Sequence, residues 1–502
     1  MNGKQLKVAA FLSYTAILMQ NGINLVFTPF LLRIVGKAEY GLYALIGSFV
    51  GYLTMLDFGI GNTVTRYISQ YKEQNKKKEE ENLIAICLLI YAVISIIILF
   101  IGVIIHVNLD VIFRNGLTAN EVDRAKIMFA LLLVNVILSL PVNIFNAVMQ
   151  GYEKFIVINI NSIIRAVLAP VVITILLLIG YKTIAIIVVN TILNMLLGIF
   201  NTLYVMLYLK LKPKLHFLNR TFIKELFHYS FFVFLGAIVD QIYWRTGQVI
   251  LGMKESAASV AVYSIAIQFC MYYMTFSTVI SGMLFPRINQ LVARKASNEE
   301  LSNFFAKTGR IQLLILGFIL GEFIIVGRDF IIIWAGQEYE NAWIYSLIIM
   351  LPLTIPLIQN TGIGILQAKN KQVFRSLLYL AIALINLVAS FLLVEKFGSI
   401  GISLITSVCL IFGNIIIINL YYHHKIKLNI IYFLRYNFKS IFFILGSILL
   451  SLVIIKNEIL VNEYLNIILK GFIFCCIYLL IIWTWVFNKQ EKQKIIRRIN
   501  KG

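Results

Sequence analysis

Five charged side chains, Asp57, Arg165, Asp240, Arg245 and Glu322, stand well inside stretches that are otherwise apolar. A charge at the centre of a membrane helix costs about 2.5–3.5 kcal/mol on the insertion scale, so each needs a partner or a wet cavity. A guanidinium carries forked donors that match phosphate oxygens, and it stays charged. Arg165 and Arg245 are therefore candidates to hold an anionic substrate group. Asp57, Asp240 and Glu322 could neutralise the arginines, or carry a coupling proton or sodium ion. Spacing sorts one group of these residues. Gln241, Arg245 and Gln248 share one helical stripe, while Asp240 and Trp244 share the next. Asp240 and Arg245 lie about 140° apart on an ideal helix and are poorly placed to neutralise each other.

Amides and hydroxyls form further rows at helical spacing: Asn135, Ser139, Asn143, Asn146 and Gln150; Gln20, Asn24 and Thr28; Asn190, Asn194 and Asn201. Lipid would leave such amides unsatisfied, so the rows face protein or water. Interhelical hydrogen bonding is one reading, at about 0.6 kcal/mol each in a measured case. Several rows in one half of the chain favour a shared polar cavity. The candidate substrate-binding set is Arg165, Arg245, Gln241, Gln248, Asn143 and Asn146. Pro29, Pro141, Pro170, Pro286, Pro352 and Pro356 lie in or at the ends of the same stretches and predict kinks, which could serve as hinges.

The elements that position these residues follow from composition. The chain has 502 residues, 60% hydrophobic and 13% charged, with a mean hydropathy of +0.87. A soluble chain carries about 25% charged residues. Apolar runs of about 18–25 residues suit membrane-crossing helices, and nothing alternates as barrel strands do. Hydropathy predicts an all-α membrane protein of about fourteen spans: 8–32, 40–65, 83–107, 126–150, 155–179, 183–209, 224–252, 257–285, 309–333, 341–366, 373–394, 398–421, 438–456 and 465–487. The first run is too long for a signal peptide and lacks a small-x-small cleavage site, so it reads as a retained span.

The net charge of +21 sorts by side. With the N-terminus inside, the inner segments hold 31 of the 44 Lys and Arg residues, and the outer face is close to neutral. This is the positive-inside pattern. It places both termini in the cytoplasm, with the chain in a bacterial inner membrane, and leaves no nucleic-acid footprint. Cys87, Cys270, Cys409, Cys475 and Cys476 all fall in predicted spans and, like the five histidines, show no metal-ligand spacing. No metal or cofactor is expected. Asp57-Phe58-Gly59 spells a kinase triplet without the other kinase motifs, and no Walker motif points to ATP. The outer loops, the longest near 108–125, are too short for the active site of a membrane polymerase or glycosyltransferase, and no catalytic residues are assigned.

The first six spans overlay the next six at an offset near 220. Arg33–Tyr43 faces Gly252–Tyr263, Arg66 faces Arg287, Gln150-Gly-Tyr-Glu-Lys faces Gln367-Ala-Lys-Asn-Lys, and Gly180 faces Gly398. Six spans per half keeps both halves the same way up, with a site expected between them. The expected division is a lobe at 1–209, a basic cytoplasmic linker at 210–223, a second lobe at 224–422, and two added helices with a basic tail at 423–502.

The chain resembles the Wzx-type polysaccharide flippases of the multidrug/oligosaccharidyl-lipid/polysaccharide exporter superfamily from about residue 8 to 421. The resemblance rests on Tyr40-Gly-Leu-Tyr, Leu56-Asp-Phe-Gly-Ile-Gly with Arg66, Gly151-Tyr-Glu-Lys-Phe, Val260-Ala-Val-Tyr-Ser-Ile-Ala, Leu366-Gln-Ala-Lys-Asn-Lys and Phe397-Gly-Ser-Ile-Gly-Ile-Ser. It implies a V-shaped pair of six-helix lobes that moves an undecaprenyl-pyrophosphate-linked oligosaccharide to the outer leaflet by alternating access. The expected partners are membrane lipid, that lipid-linked oligosaccharide, and the polymerase and ligase machinery of a surface polymer. Coupling to a proton or sodium gradient is open. The rival readings are a peptidoglycan-precursor or sporulation-type flippase, and a drug/cation antiporter, which would be expected to line its cavity with acids.

The charge distribution makes one topological prediction. A C-terminal green fluorescent protein fusion will fluoresce and a C-terminal alkaline phosphatase fusion will be inactive; the opposite pair of results inverts the orientation.

Overall fold

A computed structural model describes residues 3–217, 220–369, 371–455 and 462–493. Leu218 and Asn219 of the predicted linker, Asn370 of the Leu366–Lys371 motif, the loop before the last span and the tail beyond Gln493 lie outside the described residues. The described chain is all-helical, without a strand, and divides into two compact units, Met1–Ser264 and Ile265–Gly502.

The first unit contains α1 (Gly3–Val35), α2 (Lys37–Thr54), α3 (Ile60–Glu73), α4 (Lys77–Val107), the single turn α5 (Leu109–Ile112), α6 (Ala119–Gly151), α7 (Phe155–Leu178), α8 (Thr183–Leu203) and α9 (Arg220–Lys254), with the start of α10 (Ala257–Ala293). The predicted second span is broken in its second half. A 3-10 turn at Met55–Asp57 runs into Phe58 (φ 52°) and Gly59 (φ 66°) before α3 begins. Left-handed backbone is ordinary for glycine but costs a β-carbon residue about 1–2 kcal/mol. Phe58 holds it with its ring 4.5 Å from that of Phe234, and the Tyr91 hydroxyl donates to the Asp57 carboxylate. At the opposite end, buried Glu39 accepts from Arg124 and Thr183, each at 2.6 Å, and so ties α2, α6 and α8 together. Between the start of α4 and the end of α6 the Tyr152 hydroxyl donates to Glu80 at 2.5 Å, under Lys72, whose ammonium lies 5.2 Å from the ring. Burial, then the Glu80 carboxylate, pushes the Tyr152 hydroxyl up from the usual phenol range.

The second unit holds most of α10 with α11 (Asn298–Ala335), α12 (Asn341–Ile358), α13 (Asn360–Ala368), α14 (Val373–Cys409), α15 (Ile418–Tyr421), α16 (Ile430–Ile454) and α17 (Glu463–Ile481). α11 is its spine. Gly309, Gly317 and Gly321 on α11 receive Phe433 and Ile444 of α16 and Phe474 of α17. Ion pairs fasten both ends: Lys470–Asp329 at 2.8 Å and Arg310–Glu491 at 3.0 Å. The last two spans are thus packed along the length of α11.

Twelve stretches among the described residues are long and apolar enough to cross a membrane. One of them, Val373–Ile426, is 54 residues long and is a hairpin. Its backbone leaves helical geometry at Gly398 (φ 56°, ψ −146°). Asn386 Nδ2 then reaches Thr406 Oγ1 at 3.2 Å, although twenty residues of straight helix span about 30 Å. The chain doubles back there, supplying two crossings where hydropathy places spans eleven and twelve. α9 stands at the position of predicted span seven and is not among those twelve.

The internal repeat is visible in the backbone. Left-handed residues recur as Asn75 and Lys295, Gly180 and Gly398, and Lys210 and Lys427. The bonds that close the helix ends recur with them: Lys76 N–H to Tyr71 O and Ala296 N–H to Leu291 O, then Lys154 N–H to Met149 O and Lys371 N–H to Leu366 O. These spacings agree with those found between the sequence motifs.

The packing on α11 predicts that Gly321→Leu, which drives a side chain into Phe474, destabilises the protein by about 1–3 kcal/mol. The midpoint of thermal unfolding in detergent should fall, whereas Gly446→Leu, where a β-carbon meets nothing within 4 Å, should leave it unchanged.

Candidate functional site

Three neighbouring helices of the first unit each turn one stripe toward a common space. α6 contributes Ser139, Val142, Asn143 and Asn146; α7 contributes Ile158, Asn161, Ser162 and Arg165; α8 contributes Asn194, Leu197, Gly198 and Asn201. Every set has the spacing i, i+3, i+4, i+7, the near face of a helix. Together they enclose a polar cavity of about 210 Å³. Gly198 lets α8 close on Val142 of α6, which brings the two amide rows within reach of one ligand. Leu31, Ala169, Ile173, Ile186 and Val189 belong to an apolar cluster of the same unit. On α7 that cluster follows Arg165 in sequence, and on α8 it precedes Asn194.

Part of this wall is satisfied internally. Asn161 Nδ2 donates to Asn201 Oδ1 at 2.9 Å, and Ser162 donates to the Ile158 carbonyl at 3.0 Å. Ser139 leans on Asn135, which donates to Thr191 at 2.7 Å. Asn146 Oδ1 is buried without a partner. Arg165, ten residues into the 24-residue α7, makes no hydrogen bond or ion pair among the described residues. No acidic residue lines the cavity.

The structure thus gathers Arg165, Asn143 and Asn146 into one cavity. Arg245, on α9, lies outside its lining but shares a neighbour with it, because both guanidiniums are within electrostatic reach of the Tyr43 hydroxyl. Arg245 too has no ion pair among the described residues. The Gln241 side chain lies against Gly51 of α2. Gln248 is buried, donates to Ser264 at 3.1 Å and accepts from Ser48; beside it Tyr52 and Thr246 hydroxyls meet at 2.5 Å. These contacts lock α9 to α2 and α10. Asp57 is engaged by Tyr91, and Asp240 is an exposed residue of α9. Glu322 sits in the other unit on α11, facing Gly471 of α17. Neither arginine is neutralised by any of the three acids. Asn161 and Ser162 were not singled out from the sequence, although the spacing rule applied to spans four and six finds them in span five.

The profile of the family described as "Polysaccharide biosynthesis protein" matches residues 8–292. The chain belongs to the polysaccharide biosynthesis protein family. Two relatives, each named "Putative O-antigen transporter", come from Shigella flexneri (22% identical, 78% of this chain and 92% of the relative) and Salmonella typhi (24% identical, 79% and 90%). Among solved structures, the lipid II flippase MurJ in an inward closed conformation superposes with a TM-score of 0.69 at 16% identity, over 94% of this chain and 97% of that one. An inward-facing multidrug MATE transporter of the MOP superfamily gives 0.63 at 13% identity, over 81% and 96%. The family member described here therefore has the lobed, all-helical transporter fold of that superfamily, and the resemblance read from its sequence motifs holds.

Because the Arg165 guanidinium has no partner to lose, Arg165→Leu should unfold at or above the wild-type temperature. Glu39→Ala, which strands Arg124 and Thr183, should cost about 1–3 kcal/mol. A larger loss at Arg165 than at Glu39 would make Arg165 a structural residue.

Proposed function

We propose that the protein is a flippase for lipid-linked oligosaccharides, carrying polyprenyl-diphosphate-linked repeat units from the inner to the outer leaflet for a surface polysaccharide. The observation that carries this reading is the Arg165 guanidinium, held without a counter-ion in an amide-lined cavity among membrane helices. An uncompensated cation there is costly, and an anionic headgroup would offset that cost when bound. Arg165 would hold a phosphate oxygen or another acidic group through its forked donors, with Arg245 adding positive field from across Tyr43. The cavity amides would take sugar hydroxyls, while the polyprenyl tail stays in lipid.

Alternating access would carry the headgroup past the apolar cluster at Ala169, Ile173, Ile186 and Val189. Pro141 lies within the α6 stripe and Pro170 five residues beyond Arg165 on α7, and both are candidate bending points. A proton or sodium gradient could drive the cycle. Of the three candidate acids, Glu322 has no hydrogen-bond or ion-pair partner among the described residues, while Asp57 is already engaged. A drug/cation antiporter would be expected to place acids where this cavity has an arginine and amides, and the two relatives carry the name of an O-antigen transporter.

The test is deletion of the gene with complementation by wild type or Arg165→Ala. Loss of the protein should lower surface polymer and raise the inner-leaflet pool of lipid-linked repeat units. The alanine variant, expressed normally, should restore less than a tenth of wild-type surface polymer. An unchanged pool and unchanged polymer in the deletion strain would overturn the proposal.

A further inference from the structure

The open end of the hairpin at Gly398 gathers cations with few acids to answer them. The chain has no Asp or Glu between Glu340 and Glu395, nor between Glu395 and Glu458. Lys369, Lys371 and Arg375 stand at the start of the first limb, and Lys425 and Lys427 at the end of the returning one. Side-chain contacts hold these two ends together. The Tyr421 hydroxyl donates to the Lys371 carbonyl at 3.3 Å, and its ring stacks on Phe374 at 4.3 Å. The Lys369 ammonium donates to the Ile426 carbonyl and to Asn298 Oδ1, each at 3.5 Å. Burial, then Lys371, holds that ammonium below the usual lysine range. Glu299 and Glu300 follow Asn298 on α11, and Glu300 is taken by Arg294.

Arg375 is the best placed of these cations to hold a ligand. Its guanidinium lies 4.3 Å over the Tyr379 ring, a cation–π contact that orients the group. The Nε atom is closed off by packing, but the residue is half-buried and its Nη atoms have no hydrogen bond or ion pair among the described residues. That leaves the edge that forks onto a phosphate. The first turn of α14 has no acid and no side-chain cap, so its free amides favour an anion as well. Beyond the cations, both limbs present bare hydrocarbon. Leu377, Leu384, Val388 and Leu392 form one exposed face of the first limb, and Phe412, Ile416 and Leu420 are exposed on the other. A free phosphate meets the cations alone, whereas a phosphate that carries acyl chains meets both surfaces.

We propose that the open end of the Val373–Ile426 hairpin binds one anionic glycerophospholipid. Arg375 and Lys371 hold its phosphate, and its acyl chains lie along the exposed faces of the two limbs. Basic pockets between membrane helices take such headgroups. The bound anion also screens the repulsion among the five cations and so clamps the two limbs together. The site belongs to the second unit and is independent of what the protein carries.

The experiment is native mass spectrometry of the full-length protein in detergent, titrated with dioleoyl phosphatidylglycerol or dioleoyl phosphatidylcholine. One phosphatidylglycerol should bind at least tenfold tighter than phosphatidylcholine. Arg375→Gln and Lys371→Gln should each weaken it at least fivefold. Lys78→Gln, which removes an exposed charge from the first unit, should leave it unchanged. Thermal unfolding in nanodiscs separates a lost site from a damaged fold. In phosphatidylcholine Arg375→Gln should unfold with the wild type, and adding phosphatidylglycerol should raise the midpoint of the wild type alone. Equal affinity for the two lipids, equal weakening by Lys78→Gln and Arg375→Gln, or the same rise in midpoint for both proteins would overturn the site. Displacement of phosphatidylglycerol by equimolar farnesyl diphosphate would assign it to an isoprenoid diphosphate and overturn it too.

Discussion

A guanidinium without a counter-ion inside a membrane protein is the constraint around which the first unit is organised. Backbone polarity is dealt with by helices, each closing its own hydrogen bonds, but a fixed positive charge has no such internal remedy. The chain answers it with a polar enclosure. Asn143, Asn146, Asn161, Asn194 and Asn201 line the space, while Gly198 allows the close approach of α8 that brings the rows together. Acids that could neutralise Arg165 are present in the chain, yet Asp57 is held by Tyr91 and Glu322 lies on α11 in the other unit. The charge is therefore available to a ligand.

The rest of each unit reads as support for its own working elements. Glu39, with Arg124 and Thr183, ties three helices at one end of the first unit, and Glu80 with Tyr152 ties helices at the other. Between them the tilt and depth of α6 and α8 are set. Gln248, wedged between Ser48 and Ser264, fixes α9 against α2, and this keeps Arg245 near Tyr43. In the second unit, glycines on α11 bring in the last two helices, with ion pairs at both ends. The two halves share similar helix ends and turns.

Much of the architecture was legible from hydropathy, because spans must be long, apolar and flanked by sorted charge. One break was not: Phe58-Gly59 sits inside a run that reads as one span, whereas the reversal at Gly398 falls where hydropathy ends span eleven and begins span twelve. Of the site, helical period alone identified the rows on α6 and α8, and the cost of a charge inside an apolar span identified Arg165. Period gives the direction of a side chain but not what stands opposite. Gln248 shares a stripe with Arg245, yet it ends in a closed contact between helices. The same limit hid Asn161 and Ser162, whose neighbours in sequence are nearly all Ile and Val.

The most direct measurement is transbilayer movement itself. Purified protein would be reconstituted into liposomes with a fluorescent polyprenyl-diphosphate-linked saccharide, and the fraction exposed to an impermeant quencher followed in time. Wild-type protein should equilibrate the two leaflets, and Arg165→Leu, equally folded, should slow that movement at least tenfold. Equal rates for the two proteins would contradict the claim that an unpaired guanidinium in the cavity carries the headgroup.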